Sequence, residues 1–306
     1  MLDNSWLKKT LSSIILSAPE NRLADFDSVP IFDPPITGIA DGEDEVFRIF
    51  QAVVHPRHFA PRSLLGPYSS KGPTDRAVRV VSWAVPFHKR IRCSNRSREW
   101  PAELYSLARN NGGRLMHEIH LRLTNLIEAQ GFRAVSPGLS EDYDAFRTPG
   151  ATFASTWSER HVAYAAGLGQ FALNGCLMTP LGTFVRLGSI VTDMPFRVSV
   201  SKRECHKAPC LEDGGQDCGL CIKRCPARAI SSEGLDKEKC YLRRQAIRDR
   251  FLEPLQKKFP LFASPIVKSG RKEMGFSLGC ALCLSGVPCE ERPHPTRKES
   301  ENHAGY

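Results

Sequence analysis

The sequence predicts a mixed α/β (α+β) body followed by a smaller cysteine-rich module, and three observations carry that prediction. Residues 77–87, AVRVVSWAVPF, are β-branched and almost continuously apolar, as a strand buried on both faces requires. Residues 114–130 place Leu115, Ile119, Leu123, Leu126 and Ile127 on one helical face; Gly131 then offers a stop, and residues 132–135 a further strand. Nine of the eleven cysteines lie beyond residue 200, in spacings that suit metal ligands, with only Cys93 and Cys176 outside.

The elements follow in order. Residues 6–16 read as an amphipathic first helix. Their short apolar run, broken by serines, only faintly mimics a signal peptide. Pro34-Pro35 excludes regular structure in the next passage, and residues 41–54 hold a short helix around Glu45 to Phe50. His55 and His58 fall in a proline-bounded loop, where a rigid turn is the simpler reading than a metal site. Residues 101–108 begin a helix that Asn110-Asn111-Gly112-Gly113 is expected to break before residue 114. A helix over 158–166 and a strand over 184–192 complete the body. Beyond Pro195 cysteines, basic residues and turns dominate, which places a boundary near 195–205, with domains of 1–200 and 201–306.

With 306 residues, 41% hydrophobic and 25% charged, the chain has the length and composition for real cores. No stretch approaches the roughly 18 apolar residues of a membrane span, and the thiol usage suits a reducing cytoplasm. A net charge of +9 suits an anionic partner such as tRNA, a nucleotide or an acidic electron donor, or serves solubility alone.

The chemistry lies in the cysteines. Cys218-Gly-Leu-Cys221-Ile-Lys-Arg-Cys225-Pro226 has the C-x2-C-x3-C-P spacing of iron–sulfur ligands. A first knot supplies Cys210, Cys218, Cys221 and Cys225, and a second supplies Cys240, Cys280, Cys283 and Cys289. Four thiolates hold a cubane, so the eight suffice for two 4Fe–4S clusters. In ferredoxin-like modules the cysteine before proline ligates the other cluster. Exchanging the terminal members gives Cys210, Cys218, Cys221 and Cys289 for one cluster, and Cys225, Cys240, Cys280 and Cys283 for the other. Cys205 competes with Cys210 for its place. The alternative is a single zinc ion on Cys218, Cys221, Cys280 and Cys283, which strands the other four thiols.

Gly167-Leu-Gly169-Gln-Phe-Ala172 matches a dinucleotide fingerprint, but a helix precedes it and no acidic residue follows at the ribose position. That context rejects a nicotinamide site. Glu159, Arg160 and His161 precede the turn, either as a salt-bridged helix surface or facing a cofactor pocket. Cys176 reads as a buried small hydrophobe or a reactive thiol. The basic run from Cys240 to Lys258 reads as a solvated helix face or a phosphate contact.

Together, residues 77–87 ending in Pro86-Phe87, residues 158–169 (SERHVAYAAGLG), Gly182, Gly188-Ser189 and the two cysteine knots resemble the epoxyqueuosine reductase family. These are cobalamin-dependent iron–sulfur reductases related to reductive dehalogenases. The resemblance implies a nitroreductase-like, cobalamin-binding α/β domain followed by a two-cluster ferredoxin-like domain. It assigns Glu159, Arg160, His161, Gly167 and Gly169 to cofactor binding. It also implies electrons from a low-potential ferredoxin or flavodoxin, passed through the clusters to cobalt, and a tRNA or small-molecule substrate. This sequence departs from the pattern at Phe153-Ala154-Ser155-Thr156, where the family carries its catalytic acid, so no catalytic residue is assigned. Asp142, Tyr143, Asp144, Glu159 and His161 remain as candidate proton donors. Ala172-Leu173-Asn174 stands where the family has a lysine, and the helical repeats that help hold tRNA are expected to be absent after Cys289. Two readings from other classes stay open: an electron carrier without a catalytic cofactor, and a zinc-stabilised nucleic-acid-binding protein.

Overall fold

Helix α1 (Asn4–Ser17) buries Leu7, Leu11, Ile14 and Ile15 at helical spacing. The computed structural model describes residues 4–66, 68–96, 99–148, 152–199, 206, 210, 218–259, 266–268, 271–273 and 278–293. Strand β1 (Ile36–Asp41), helix α2 (Val46–Val53), strand β2 (Arg79–Pro86) and short helix α3 (Lys89–Ser94) come next. Helix α4 (Glu103–Ala129) leads to strand β3 (Ala134–Val135). The hairpin β4 (Ala145–Thr148) and β5 (Thr152–Ser155) precedes helix α5 (Glu159–Ala165) and strand β6 (Val185–Thr192). Helices α6 (Leu220–Arg224) and α7 (Lys237–Lys258) belong to the cysteine-rich part.

Four strands form one sheet in the order β1-β2-β6-β3, and every neighbouring pair is antiparallel. Strands β2 and β3 therefore run the same way, joined through α4, with β6 inserted between them. The strand–helix–strand order expected from sequence is present, but the hydrogen-bonded pairing is that of an α+β sheet. Strand β2 has a partner on each side and is buried over six consecutive residues, which explains its almost continuously apolar sequence.

Alternation along β2 divides the core. Val81, Trp83 and Val85 pack with Leu7 and Leu11 of α1 and with Leu115, Ile119 and Leu123 of α4. Val80, on the other face, packs with Phe47 and Phe50 of α2, and with Trp157 and Val162. Each fully buried aliphatic or aromatic side chain contributes about 1.5–3 kcal/mol. Ile247 and Leu255 of α7, with Leu278, join the same core as α1 and α4, so the cysteine-rich part rests on the body through apolar contact.

One expectation is corrected and one strand is added. Helix α4 is continuous through residues 110–113, because Gly112 lies against the Ile31-Phe32 segment, where a Cβ would sit 2.8 Å from the Phe32 ring. The helix-propensity cost of about 1 kcal/mol per glycine is small beside the packing of the buried stripe from Leu104 to Ile127. Residues 36–41, to which the sequence reading assigns no strand, form an edge strand. Gly38 hides the alternation, and its missing side chain lets the Ala166 carbonyl approach within 2.3 Å of where a Cβ would stand. Among the described residues no helix is long and apolar enough to cross a membrane.

Candidate metal centre

The two C-x2-C segments fold alike. Gly219 in Cys218-Gly-Leu-Cys221 has φ 47°, and Ala281 in Cys280-Ala-Leu-Cys283 has φ 50°; each caps a short helical turn that carries its second cysteine. Alanine in this left-handed region costs roughly 1–2 kcal/mol, so Ala281 is held there by its surroundings. Cys225 leaves α6 in extended conformation and Pro226 ends the helix, directing that thiol away from its neighbours in sequence.

The thiols sort into two sets. Burial pushes Cys221 up to about 12, and Cys210, Cys289 and Cys218 add to the shift. Burial raises Cys289 to about 11; the Thr183 hydroxyl opposes this, and Cys210 and Cys218 again add to it. Cys283 is raised well above a free thiol by burial, then by Cys176, Cys280, Cys225 and Cys240. Cys240 is raised by burial, with Arg244 opposing and Cys280, Cys225 and Cys176 adding. The thiols that bear on one another electrostatically thus fall into two sets, Cys210, Cys218, Cys221 and Cys289 in one, and Cys225, Cys240, Cys280 and Cys283 in the other. Cys205 lies outside the described residues.

The four thiols of the zinc alternative are split between the two sets. Among the described residues no three His, Cys, Asp or Glu side chains converge as they do on a single ion. Zinc–sulfur bonds of about 2.3 Å place tetrahedral ligands about 3.8 Å apart, whereas a cubane spreads its four thiolates around a larger body. The donor chemistry fits the larger group. Burial opposes bare thiolates, so each set awaits a cationic core to ionise it.

A cavity of about 390 Å³ opens beside the second set and is lined by its four thiols and by Cys176. Arg109, Arg186 and Arg243 line it too, and Arg109 Nη1, Arg186 Nη1 and Arg243 Nε are buried without hydrogen-bond partners. Orphaned guanidinium nitrogens beside four thiols fit an anionic occupant, as a thiolate-held cluster is.

Interactions absent from the sequence reading hold the knots on the body. The Thr183 backbone N–H and hydroxyl donate to the Cys289 carbonyl at 2.8 and 3.0 Å. Gly182 has φ 80°, and a Cβ there would lie 2.4 Å from the Glu290 carbonyl oxygen, so only glycine admits the second knot at this position. The Glu290 carboxylate is buried and accepts from Arg96 at 3.0 Å, from Arg92 at 3.4 Å and from the Gly286 N–H at 2.6 Å. Arg224 of α6 donates to the Leu282 carbonyl at 2.9 Å and to the Asn95 carbonyl at 3.0 Å, joining the two knots to the end of α3.

The residues expected at a cofactor turn have other partners. Gly169 is pressed on the Met178 carbonyl, 2.2 Å from where a Cβ would stand. Gly167 takes φ 74° to end α5. His161 is held by the Ser158 hydroxyl at 2.7 Å between Phe50 and Phe171, and burial, then Arg160, lowers its pKa to about 3. Arg160 alone of the five lines the cavity, with Nη1 on the Gly175 carbonyl. Asp142 bonds Tyr68, and Asp144 pairs with Arg57 at 3.3 Å. His58 uses both ring nitrogens within the protein, donating to the Phe59 carbonyl and accepting from the Ser158 N–H, which leaves no lone pair for a metal.

Glu159 is half-buried and accepts from the Ser189 hydroxyl at 2.7 Å, which in turn accepts from Trp157 Nε1 at 2.8 Å. Burial raises its pKa to about 8, with the Ser189 hydrogen bond opposing. The folded protein therefore holds a proton that the unfolded chain releases above about pH 4.3, and stability falls as pH rises from there towards 8. Glu159→Gln keeps the hydrogen bond without the titration. Unfolding free energies from urea titrations should decline by a few kcal/mol between pH 5 and 8 in the parent relative to the variant; parallel profiles would contradict the raised acid. His58 acts with the opposite sign. Burial lowers it to about 4, so its contribution is lost as pH falls from about 6.5.

No family model matches the sequence. The chain is 38% identical over 85 residues to the epoxyqueuosine reductase of Staphylococcus aureus (strain NCTC 8325 / PS 47), covering 27% of this chain and 20% of that protein. It is 25% identical over 167 residues to the epoxyqueuosine reductase of Bacillus subtilis (strain 168), covering 54% of this chain and 39% of that protein. The matched stretches therefore span less than half of either relative. A solved epoxyqueuosine reductase in complex with an epoxyqueuosine-modified tRNA-Tyr stem loop aligns at a TM-score of 0.44 and 18% identity, over 95% of this chain and 67% of that one. A reductive dehalogenase structure described in terms of B12-dependent dehalogenation aligns at 0.41 and 13%, over 87% and 41%.

Proposed function

We propose, from the premise that this chain is a distant and partial member of the epoxyqueuosine reductase-like family, that it is an iron–sulfur oxidoreductase holding two 4Fe–4S clusters. In this reading residues 1–200 form a nitroreductase-like body and residues 201–306 a ferredoxin-like module. The observation that carries it is the electrostatic sorting of eight half-buried thiols into two sets, each drawing on both knots.

When bound, the clusters supply one-electron transfer. The chain supplies the rest. Cys210, Cys218, Cys221 and Cys289 hold one cluster, and Cys225, Cys240, Cys280 and Cys283 the other. Cys221 and Cys283 are partly shielded from water, and Thr183 holds the Cys289 carbonyl. Basic residues on the cavity wall compensate the negative charge of the second cluster. A low-potential ferredoxin or flavodoxin is the donor in this reading, and a tRNA or small molecule the substrate; the net charge of +9 supports an anionic one.

Kinship favours a corrinoid as the acceptor, but the described residues do not fit one at the expected turn. Glu159, His161, Gly167 and Gly169 are taken up in packing, and about 390 Å³ lies at the small end of pockets for drug-sized ligands, which a corrinoid far exceeds. The same observation favours a second reading, an electron carrier that hands its electrons to a partner. Titrated anaerobically with a low-potential reductant, the holoprotein should take up about two electrons per chain as its near-400 nm absorption bleaches. Uptake of none overturns the proposal. Cobalt assayed in the same sample separates the readings: a stoichiometric amount favours the reductase, its absence the carrier.

A further inference from the structure

Three buried guanidinium nitrogens converge on the cavity beside one thiol set. Arg109 projects from α4, Arg186 from β6 and Arg243 from α7, three elements distant in sequence. Arg109 Nη1, Arg186 Nη1 and Arg243 Nε have no hydrogen-bond partner among the described residues. The charged or titratable neighbours that register on Arg109 are Tyr105 and Arg244, and no carboxylate is among them. The second knot reaches this wall directly: a Cβ on Gly279 would lie 2.9 Å from Tyr105 Oη and 3.1 Å from Arg109 Nε. Arg243 stacks 3.6 Å from the centre of the Trp100 ring and donates to the Glu99 carbonyl at 2.8 Å, so its remaining nitrogen is held in place.

The other thiol set has a different environment. Cys210, Cys218, Cys221 and Cys289 do not line this cavity, whereas Arg244 lines it together with the four thiols of the second set. A thiolate-held 4Fe–4S cluster is anionic in both oxidation states and gains one further negative charge on reduction. Nearby fixed cations in a poorly solvated site therefore stabilise the reduced state more than the oxidised one.

We infer that Arg109, Arg186 and Arg243 form a cationic cage for the cluster on Cys225, Cys240, Cys280 and Cys283, and hold its reduction potential above that of the other cluster. This rests on the proposed two-cluster reading. The electron taken by the first cluster then passes downhill to the second, with no proton required and the positive wall balancing the added charge.

The test is an EPR-monitored potentiometric titration of the anaerobic holoprotein. The parent should show two separated one-electron midpoints. Arg186→Met and Arg109→Met should retain full iron and lower only the higher midpoint, by a tenfold or greater change in its reduction equilibrium, about 59 mV. Arg186→Lys, which keeps the charge, should restore most of it. Arg243→Met, at the outer edge of the wall, provides the same readout should either core variant fail to fold. Two unmoved midpoints in iron-replete variants, or movement of the lower one, overturn the cage and leave the two-cluster reading standing. A parent protein without iron removes that reading and the cage with it.

Discussion

Cys289→Ala should lower iron from about eight to about four atoms per chain, and the cluster lost should be the one on Cys218 and Cys221. Cys289 is close to Cys283 in sequence, and a model of two independent knots would assign it there. Its electrostatic neighbours in the folded chain are Cys210, Cys218 and Cys221 instead. The spectrum of the surviving cluster settles the matter without a structure. It should coincide with that left by Cys218→Ala and differ from that left by Cys283→Ala. Coincidence with the Cys283→Ala spectrum would contradict the interlock.

Glu290→Ala should cost about 3–5 kcal/mol, because it strands the buried Arg92 cation and releases the loop that carries Cys289. The Glu290 carboxylate also meets Arg96 and the Gly286 N–H, so three donors lose their acceptor at once. Glu291 bonds Arg92 at 2.7 Å and is half exposed, which places the loss at the lower end of that range. Denaturant unfolding of Glu290→Ala and Glu291→Ala checks the argument, since the exposed partner should cost no more than about 1 kcal/mol. Equal effects from the two would mean that the burial of Glu290 has no energetic consequence. The cluster held by Cys289 should also be the first to be lost from the Glu290 variant on standing.

How much was legible in the sequence depended on how local the cause was. Strand β2 announced itself because burial on both faces demands continuous apolar character. The cysteine spacing was legible because metal chemistry restricts ligand geometry within a few residues. Helix α4 was misread at Gly112, since the contact that offsets its glycine cost comes from Phe32, eighty residues earlier in the chain. Strand β1 was hidden by Gly38, whose purpose is the approach of Ala166. Cys176 looked like an isolated thiol until the turn after α5 brought it beside Cys283. Arg109 and Arg186 carry no signal at all in sequence. One is an ordinary helix residue, the other an ordinary strand residue, and only the packing of α4 on β6 gives them a common cavity. Glu290 was likewise only a charge beside a cysteine until α3 supplied Arg92 and the residues just after α3 supplied Arg96.

Elemental analysis of one anaerobic preparation tests the central claim most directly. Two clusters predict about eight iron and eight acid-labile sulfide per chain, with no stoichiometric zinc. A colourless protein carrying zinc, with neither iron nor sulfide, would contradict it.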